Sequence, residues 1–177
     1  MTEETQGEAQ QEASGVQQLT VAWLQRAHLV LDAHHTAAGM FEKRHYWLGI
    51  PTVALSTVVA TAVFASLQNT PHIYMQIVVG LASILAAVLA SLLTFLRYNE
   101  RAEKHRLAGV RYGAIMRQLE QARQIPPHTE EEARGFFDSI RSRWDKLNEE
   151  SPTMPTKTWD RLNRRHQKKK EEGQQEK

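Results

Sequence analysis

Two long runs of apolar residues dominate the hydrophobic pattern of the chain, and neither contains a charged side chain. The first covers residues 47–67, which is 21 positions, and the second covers residues 73–96, which is 24 positions. As helices, these lengths correspond to about 31 and 36 Å, enough to cross a hydrocarbon core of about 30 Å. Uncharged runs of this length are typical of membrane spans rather than of core helices in a soluble bundle. The pattern therefore predicts two transmembrane helices.

A short polar segment, residues 68–72, separates the two runs and contains no Lys or Arg. Five residues can join two spans only as antiparallel neighbours, so the pattern predicts a helical hairpin. Lys43 and Arg44 precede the first span, and Arg97 and Arg101 follow the second. By the positive-inside rule, we expect both flanks and both termini in the cytoplasm and the loop outside. Aromatic residues typical of the membrane interface mark the predicted boundaries: Tyr46, Trp47, Tyr74 and Tyr98.

Small and hydroxyl-bearing residues recur at helical spacing within both spans. Ala54, Thr57, Thr61 and Ala65 form one stripe, and Gly80, Ser83, Ala87, Ser91 and Thr94 form another. Small residues let helices approach closely in lipid, whereas hydroxyl groups can also line a pore. The sequence leaves helix packing and pore lining both open for the candidate residues Thr57, Thr61, Ser83, Ser91 and Thr94. Pro51 predicts a helix start or a kink at the cytoplasmic edge of the first span.

Helical periodicity continues on both sides of the hairpin. Apolar positions at alternating steps of three and four predict an amphipathic cytoplasmic helix over residues 16–46. They also predict a cytoplasmic extension over residues 97–124, into which we expect the second membrane helix to run on. Gly109 and Gly113 lower the helix propensity of the extension, which indicates close approach of another helix. The apolar face before the first span comprises Leu24, Ala27, Leu31, His34, Ala38 and Phe41.

Two further helices are predicted at the carboxyl end of the chain. Pro126 and Pro127 end the extension, and a capping box of Thr129 and Glu132 begins a helix over residues 129–150. A short helix is predicted over residues 156–165, followed by a basic and polar tail over residues 166–177. The tail could bind anionic lipid head groups or remain solvated, and the sequence leaves both open. The apolar face of the 129–150 helix comprises Ala133, Phe136, Phe137, Ile140, Trp144 and Leu147.

Composition removes several classes of function. The mean hydropathy of −0.50 averages the apolar middle with strongly polar ends. The chain has no cysteine, so disulfides and thiol chemistry are excluded. Residues 1–15 are rich in Glu and Gln, which predicts a disordered tail and no cleavable signal. His28, Asp32 and His35 share a helix face, but no fourth ligand is evident. We therefore expect no metal, no cofactor, no catalytic residue and no specific nucleic acid, and the chain is not predicted to be an enzyme.

One segment and the overall layout resemble a known family, the SLATT domain (SMODS and SLOG-associating two-transmembrane effector). The segment is residues 97–120, directly after the second span, and the layout covers roughly residues 20–165. The layout consists of a helix before the membrane, a tight hairpin and further cytoplasmic helices. The matching positions include Glu103, His105, Arg106, Gly109, Tyr112 and Arg117.

The resemblance implies a single SLATT-like domain over residues 16–165. Its fold would be all-α: a two-transmembrane helical hairpin with an amphipathic N-terminal helix and cytoplasmic C-terminal helices. The implied function is a homo-oligomeric, pore-forming effector of a bacterial conflict system against phage, in the inner membrane. The trigger would come from a separate sensor protein, such as a nucleotide-signalling protein acting in trans. The alternative is a membrane-anchored scaffold, in which the face bearing Phe136, Phe137 and Trp144 binds a partner protein.

Overall fold

The described part of the chain is built from helices alone. A computed structural model describes residues 3–66, 72–127 and 129–175, with side chains from residue 15 onward except residues 169, 170 and 173–175. The helices are α1 (Glu3–Ser66), α2 (Ile73–Leu96), α3 (Tyr98–Gln124), α4 (Glu130–Glu150) and α5 (Thr156–Gln175). The predicted all-helical class is confirmed. Residues 68–71 of the predicted loop lie outside the described residues.

The chain divides into two compact units. Met1–Ala38 and Glu103–Lys177 form the first, which we call the polar unit, and Gly39–Ala102 forms the second, which we call the apolar unit. The polar unit therefore contains the first part of α1, most of α3, and all of α4 and α5. The apolar unit contains the rest of α1, all of α2 and the first turn of α3.

Apolar residues of three helices form the core of the polar unit. Trp23 of α1 meets Phe137 and Trp144 of α4 edge-to-face, with ring centroids 5.9 and 6.2 Å apart. The aromatic face of α4 is therefore used inside its own unit. Phe136, Phe137 and Trp144, which the sequence offered as a docking face for a partner, are half-buried and pack against this core. The buried cluster comprises Leu24, Ala27, Ala108, Tyr112, Ile115, Leu119, Ile140 and Leu147.

Helix α4 begins where the capping box predicts. The Glu132 backbone N–H donates to Thr129 Oγ1 at 3.1 Å, which satisfies one of the free donors of the first turn. Three glutamates, at positions 130–132, lie in that turn, where the helix dipole favours negative charge. The buried positions Ala133, Ile140 and Leu147 recur seven residues apart and hold α4 against the core.

Helix α1 differs from the prediction at two places. It begins at Glu3, although residues 1–15 were expected to be disordered, and it is already formed before Pro51, so no helix starts there. Glu, Gln and Ala are good helix formers, so a helix already formed downstream extends into them at little cost. Past Pro51, the Thr52 hydroxyl donates to the Leu48 carbonyl at 2.6 Å within the uninterrupted helix.

A single residue separates α2 from α3. Arg97 adopts the left-handed conformation (φ 47°, ψ 41°), and its N–H donates to the Leu93 carbonyl. The predicted boundary at residue 96 therefore matches, but the expectation that the second span continues unbroken into the extension is wrong. For a residue with a Cβ this backbone conformation is unfavourable by about 1 kcal/mol. The Arg97 side chain is held by Glu100, with Nε and Oε2 2.7 Å apart.

Helix α5 is longer than predicted and includes most of the expected basic tail. It runs over Thr156–Gln175, whereas the sequence predicted a helix ending at residue 165. Lys, Glu and Gln are strong helix formers, and Lys168 Nζ lies 3.7 Å from Glu172 Oε1 one turn on. Thr158 and Leu162 are buried within the polar unit, while Arg161, Arg164, Arg165 and Lys168 are exposed.

Candidate functional site

The surface of the apolar unit consists largely of uncovered apolar side chains. The two helices of this unit contain stretches long and apolar enough to cross a membrane, and 6% of the most apolar window of each is buried. Phe64 is 71% exposed and Phe95 is 81% exposed. The core helix of a soluble bundle would bury such side chains, and apolar surface of this extent indicates a membrane or a large interface.

The hydroxyl groups of the predicted stripes lie mainly on this uncovered surface. Thr57, Thr61, Ser91 and Thr94 are exposed, and Ser83 is half-buried. Each hydroxyl donates to the carbonyl four residues earlier, over 2.7–3.1 Å. A hydroxyl that donates within its own helix does not require an acceptor on another helix, so these positions tolerate a lipid environment.

Within the apolar unit, α1 and α2 each have one partly covered face, and this face differs from the one that bears the hydroxyl stripe. Half-buried positions recur at helical spacing on α1 (Leu55, Val59, Ala62) and on α2 (Ala82, Ala86, Leu89, Leu93), with Ala86 fully buried. The end of α1 and the start of α2 together line a groove of about 580 Å³. Apart from Ser83, the candidate hydroxyl residues lie outside these covered faces, so they remain free to contact lipid or another molecule.

Aromatic and basic residues cluster where the predicted spans end. Trp47 and Tyr74 are exposed, as interfacial residues would be. Tyr98 is instead half-buried and stacks on Phe41, with ring centroids 6.1 Å apart. The Arg44 guanidinium lies 5.9 Å from both of these rings, a cation–π geometry that holds its charge beside the end of the span.

Residues 97–120 divide into an exposed and a buried set. Glu103, Arg106 and Arg117 are exposed, and the first two lie 3.7 Å apart as an i,i+3 ion pair. His105, Gly109 and Tyr112 are buried. The buried residues recur at steps of four and three, so they form the face of α3 that packs into the polar unit.

Gly109 is the position of closest helix approach on this face. A Cβ placed there would lie 3.2 Å from His35 Nε2, which confirms the close approach expected at this glycine. A Cβ at Gly113 would lie 3.7 Å from Leu31 Cδ1. That distance is ordinary contact, so the space around Gly113 does not require a glycine.

A buried histidine pair joins α1 to α3. His34 and His105 are 4% and 2% exposed, and their Nδ1 atoms are 3.0 Å apart. One ring must donate and the other accept, so the pair holds a single proton between these two atoms. Burial lowers the pKa of His34 to about 4, assisted by the nearby His105 and His35. Burial also lowers the pKa of His105.

Tyr112 connects the histidine pair to α4. Its ring stacks on His34 at 5.3 Å between centroids and meets Trp144 edge-to-face at 5.4 Å. Its hydroxyl donates to Asn148 Oδ1 at 2.6 Å. Burial raises the pKa of this hydroxyl, and the neighbouring Ser151 side chain partly offsets the effect. His34, His105 and Tyr112 thus form one buried network of hydrogen-bonded and stacked rings, and the exposed Asn148 accepts the Tyr112 hydroxyl at its edge.

Sequence reasoning found the two faces that meet in this network but not the network itself. His34 and His105 were both placed on predicted apolar faces, where a polar ring requires a hydrogen-bond partner. That requirement was the available signal for pairing. Asp32 and His35, considered as metal ligands, point elsewhere: Asp32 Oδ2 lies 3.4 Å from His166 Nε2, and His35 lies against Gly109.

Comparison with protein families, with curated proteins and with solved structures finds no match to this chain.

Proposed function

We propose that this chain is an integral membrane protein that crosses the bilayer twice, and that several copies assemble into a pore. The observation that carries the proposal is the uncovered surface of the apolar unit. Large apolar side chains lie there beside hydroxyl groups that donate to carbonyls of their own helix. In water such a surface would be unstable, whereas in lipid it is the ordinary outer face of a span.

A hairpin with both termini in the cytoplasm fits the covered faces and the charges. The half-buried faces of α1 and α2 are those that antiparallel neighbours would pack together, and the shared groove lies at the end nearest the loop. Lys43 and Arg44 on one side and Arg97 and Arg101 on the other flank the spans, while residues 68–72 carry no Lys or Arg. The positive-inside rule orients the hairpin accordingly.

A single hairpin cannot enclose water, so the pore requires several copies. The stripes that contain Thr57, Thr61, Ser91 and Thr94 are small, lightly polar and exposed. They are therefore suited to close contact between copies or to lining a narrow passage. No charged side chain lies in residues 47–67 or 73–96, so the passage would be gated by dewetting rather than by a charged filter.

The resemblance of residues 97–120 to the SLATT family supplies the biological setting. In that setting the chain is an effector of a bacterial antiviral system in the inner membrane, activated by a sensor encoded separately. The polar unit, with its own core, would receive the signal. Its contact with the sensor would be made on the exposed positions, because His105, Gly109 and Tyr112 are buried.

Reconstitution tests pore formation directly. Purified protein in liposomes should release a trapped dye, and the same sample should show an oligomer by crosslinking or native mass spectrometry. Thr57→Leu and Ser91→Leu should reduce leakage, because bulky apolar groups block close contact and remove the hydroxyls. Val63→Leu and Val88→Leu are matched controls on exposed positions outside the stripes and should leave leakage unchanged. An assembled oligomer in tight liposomes would contradict the proposal.

Topology needs its own measurement. Cysteines introduced near residue 16 and at residue 165 should be unreactive to an impermeant reagent applied outside the cell, since the chain has no native cysteine to interfere. The protein should also resist extraction by alkaline carbonate. Labelling of either terminus from outside would refute the orientation.

The scaffold alternative is tested by exchanging both spans for an unrelated hairpin of equal length. The aromatic face of α4 offers a partner only the part of Phe136, Phe137 and Trp144 that is not covered by the core. Activity retained after the exchange would nevertheless favour the scaffold, whereas loss of activity with normal insertion would favour the pore.

A further inference from the structure

A cleft on the polar unit combines aromatic walls with unneutralised positive charge. It has a volume of about 430 Å³, within the range of small-molecule sites. Helices α1, α4 and α5 contribute its lining, so three separate parts of the chain converge on it. We propose that this cleft binds a flat aromatic ring that carries an anionic group, either a phosphate or a carboxylate. The proposal concerns the polar unit alone and does not depend on pore formation.

Tryptophan rings form the walls of the cleft. Trp23, Trp144 and Trp159 line it, which is three of the four tryptophans in the chain. Trp23 and Trp144 meet edge-to-face at 67°, and both are half-buried, so part of each ring remains open to the cleft. Trp159 is half-buried and makes no ring pair among the described residues. The indole surface that lines the cleft can bind a flat aromatic ring by stacking or by edge-to-face contact.

The charges in the cleft select an anion. Arg26 and Arg141 line it with a single carboxylate, that of Asp145. Arg26 makes no ion pair within the part of the chain that the structure describes, and Arg141 has only an exposed contact of 3.8 Å with Asp138. Two guanidinium groups can therefore turn to a phosphate or carboxylate, which they bind in a planar, bidentate manner. A quaternary ammonium ion, the other usual guest of a tryptophan cage, would meet net positive charge.

Asn148 provides an oriented polar group at the edge of the cleft. Its Oδ1 accepts the Tyr112 hydroxyl at 2.6 Å, so its amide N–H₂ is directed away from Tyr112 and remains able to donate. Tyr112 also contacts Trp144, and it stacks on His34. A ligand in the cleft would therefore be connected to α3 through the contacts of Asn148 and Trp144 with Tyr112.

Calorimetric titration of the full-length protein in detergent tests the proposal. Adenosine monophosphate is the phosphate probe and indole-3-acetate is the carboxylate probe; adenosine, inorganic phosphate and choline are the comparison ligands. At least one of the two aromatic anions should bind, more tightly than the ring alone, the anion alone or choline. If neither aromatic anion binds, or if choline binds more tightly than both, the proposal is wrong.

Substitutions locate the binding. Arg26→Gln and Arg141→Gln should each weaken binding roughly 10- to 100-fold, the loss expected for a hydrogen bond to a charged group. Both arginines are exposed, so the variants should fold normally. Arg134→Gln is the matched control, because Arg134 is also an exposed arginine of α4 paired with a carboxylate one turn away, but it lies outside the cleft. Equal weakening by Arg134→Gln would overturn the assignment.

Tyr112→Phe separates positioning from simple charge attraction. It removes the hydrogen bond that orients Asn148 while keeping the ring in the core, and it should weaken binding about 3-fold or more. The inorganic phosphate control should not change in this variant. If the Tyr112→Phe variant and the original chain bind the aromatic anion with the same affinity, the role of Asn148 in the site is refuted.

Discussion

Acid should destabilise the polar unit through its buried histidine pair. In the folded protein, burial lowers the pKa of His34 to about 4. In the unfolded chain an imidazole has a pKa of about 6.5. The unfolded state therefore binds a proton in a range where the folded state does not. The contribution of His34 to stability is complete above about pH 6.5, and it is lost as the pH falls toward 4.

The size of the effect follows from the two pKa values. At pH 5.5 the unfolded state binds about 0.9 protons at this site and the folded state almost none, which gives a loss of about 1.4 kcal/mol relative to pH 8. Below pH 4 the loss reaches a limit of about 3.4 kcal/mol. For a chain of this length, a change of 1.4 kcal/mol lowers Tm by roughly 3–6 °C. His105, whose pKa is lowered in the same direction, adds to the loss.

Thermal unfolding at pH 8 and pH 5.5, followed by the fluorescence of Trp23, Trp144 and Trp159, measures this loss. Other groups also titrate in this range, so the informative quantity is the difference between the original chain and His34→Gln. Gln keeps a polar partner for His105 but cannot take up the proton. The variant should lose about 1.4 kcal/mol less stability between the two pH values. His28→Gln, a half-buried histidine outside the pair, is the control. Equal losses in the original chain and in His34→Gln would refute the reasoning.

Three further predictions concern packing and backbone. Leu119→Ala, at a position with no exposure, should lower the free energy of unfolding by about 2–5 kcal/mol. Leu107→Ala, on the exposed face of the same helix, should change it by less than about 0.5 kcal/mol. Denaturant titration measures both changes. Gly113→Ala should raise Tm, with a gain of up to about 1 kcal/mol, because its Cβ would meet only ordinary contacts; a decrease would show that the helices cannot accept a methyl group there. Arg97→Gly should be neutral or stabilising by about 1 kcal/mol, because glycine accepts the left-handed conformation, and Arg97→Val should lower Tm; the reverse order would contradict the strained backbone.

The fold explains why particular residue types stand at three positions within residues 97–120. One buried face carries His105, Gly109 and Tyr112. His105 forms a hydrogen bond with His34, and Gly109 leaves room for the His35 ring. The Tyr112 hydroxyl donates to Asn148. These requirements are specific: an imidazole, the absence of a side chain and a phenol. The exposed Glu103, Arg106 and Arg117 have no such packing role, and they are therefore the members of this segment best placed to contact another molecule.

The sequence by itself determined where helices form and which of their faces are apolar. The uncharged runs, the three- and four-residue periodicity and the capping box depend on neighbours along the chain, and the structure agrees over α2, α3 and α4. A helix start at Pro51, an unbroken helix at Arg97 and a shorter α5 were the expectations that the structure does not bear out, because competing backbone states there differ by about 1–3 kcal/mol and context decides between them.

Only the tertiary structure decided what each face meets. Phe137 and Trp144 form an apolar face that could equally contact a partner or the same chain, and periodicity cannot distinguish the two. The pairing of His34 with His105, 71 residues apart, likewise depends on how α1 and α3 pack. The cleft lined by Trp23, Trp144 and Trp159 exists for the same reason. Long-range contacts are set by the fit of whole surfaces, which no local pattern encodes.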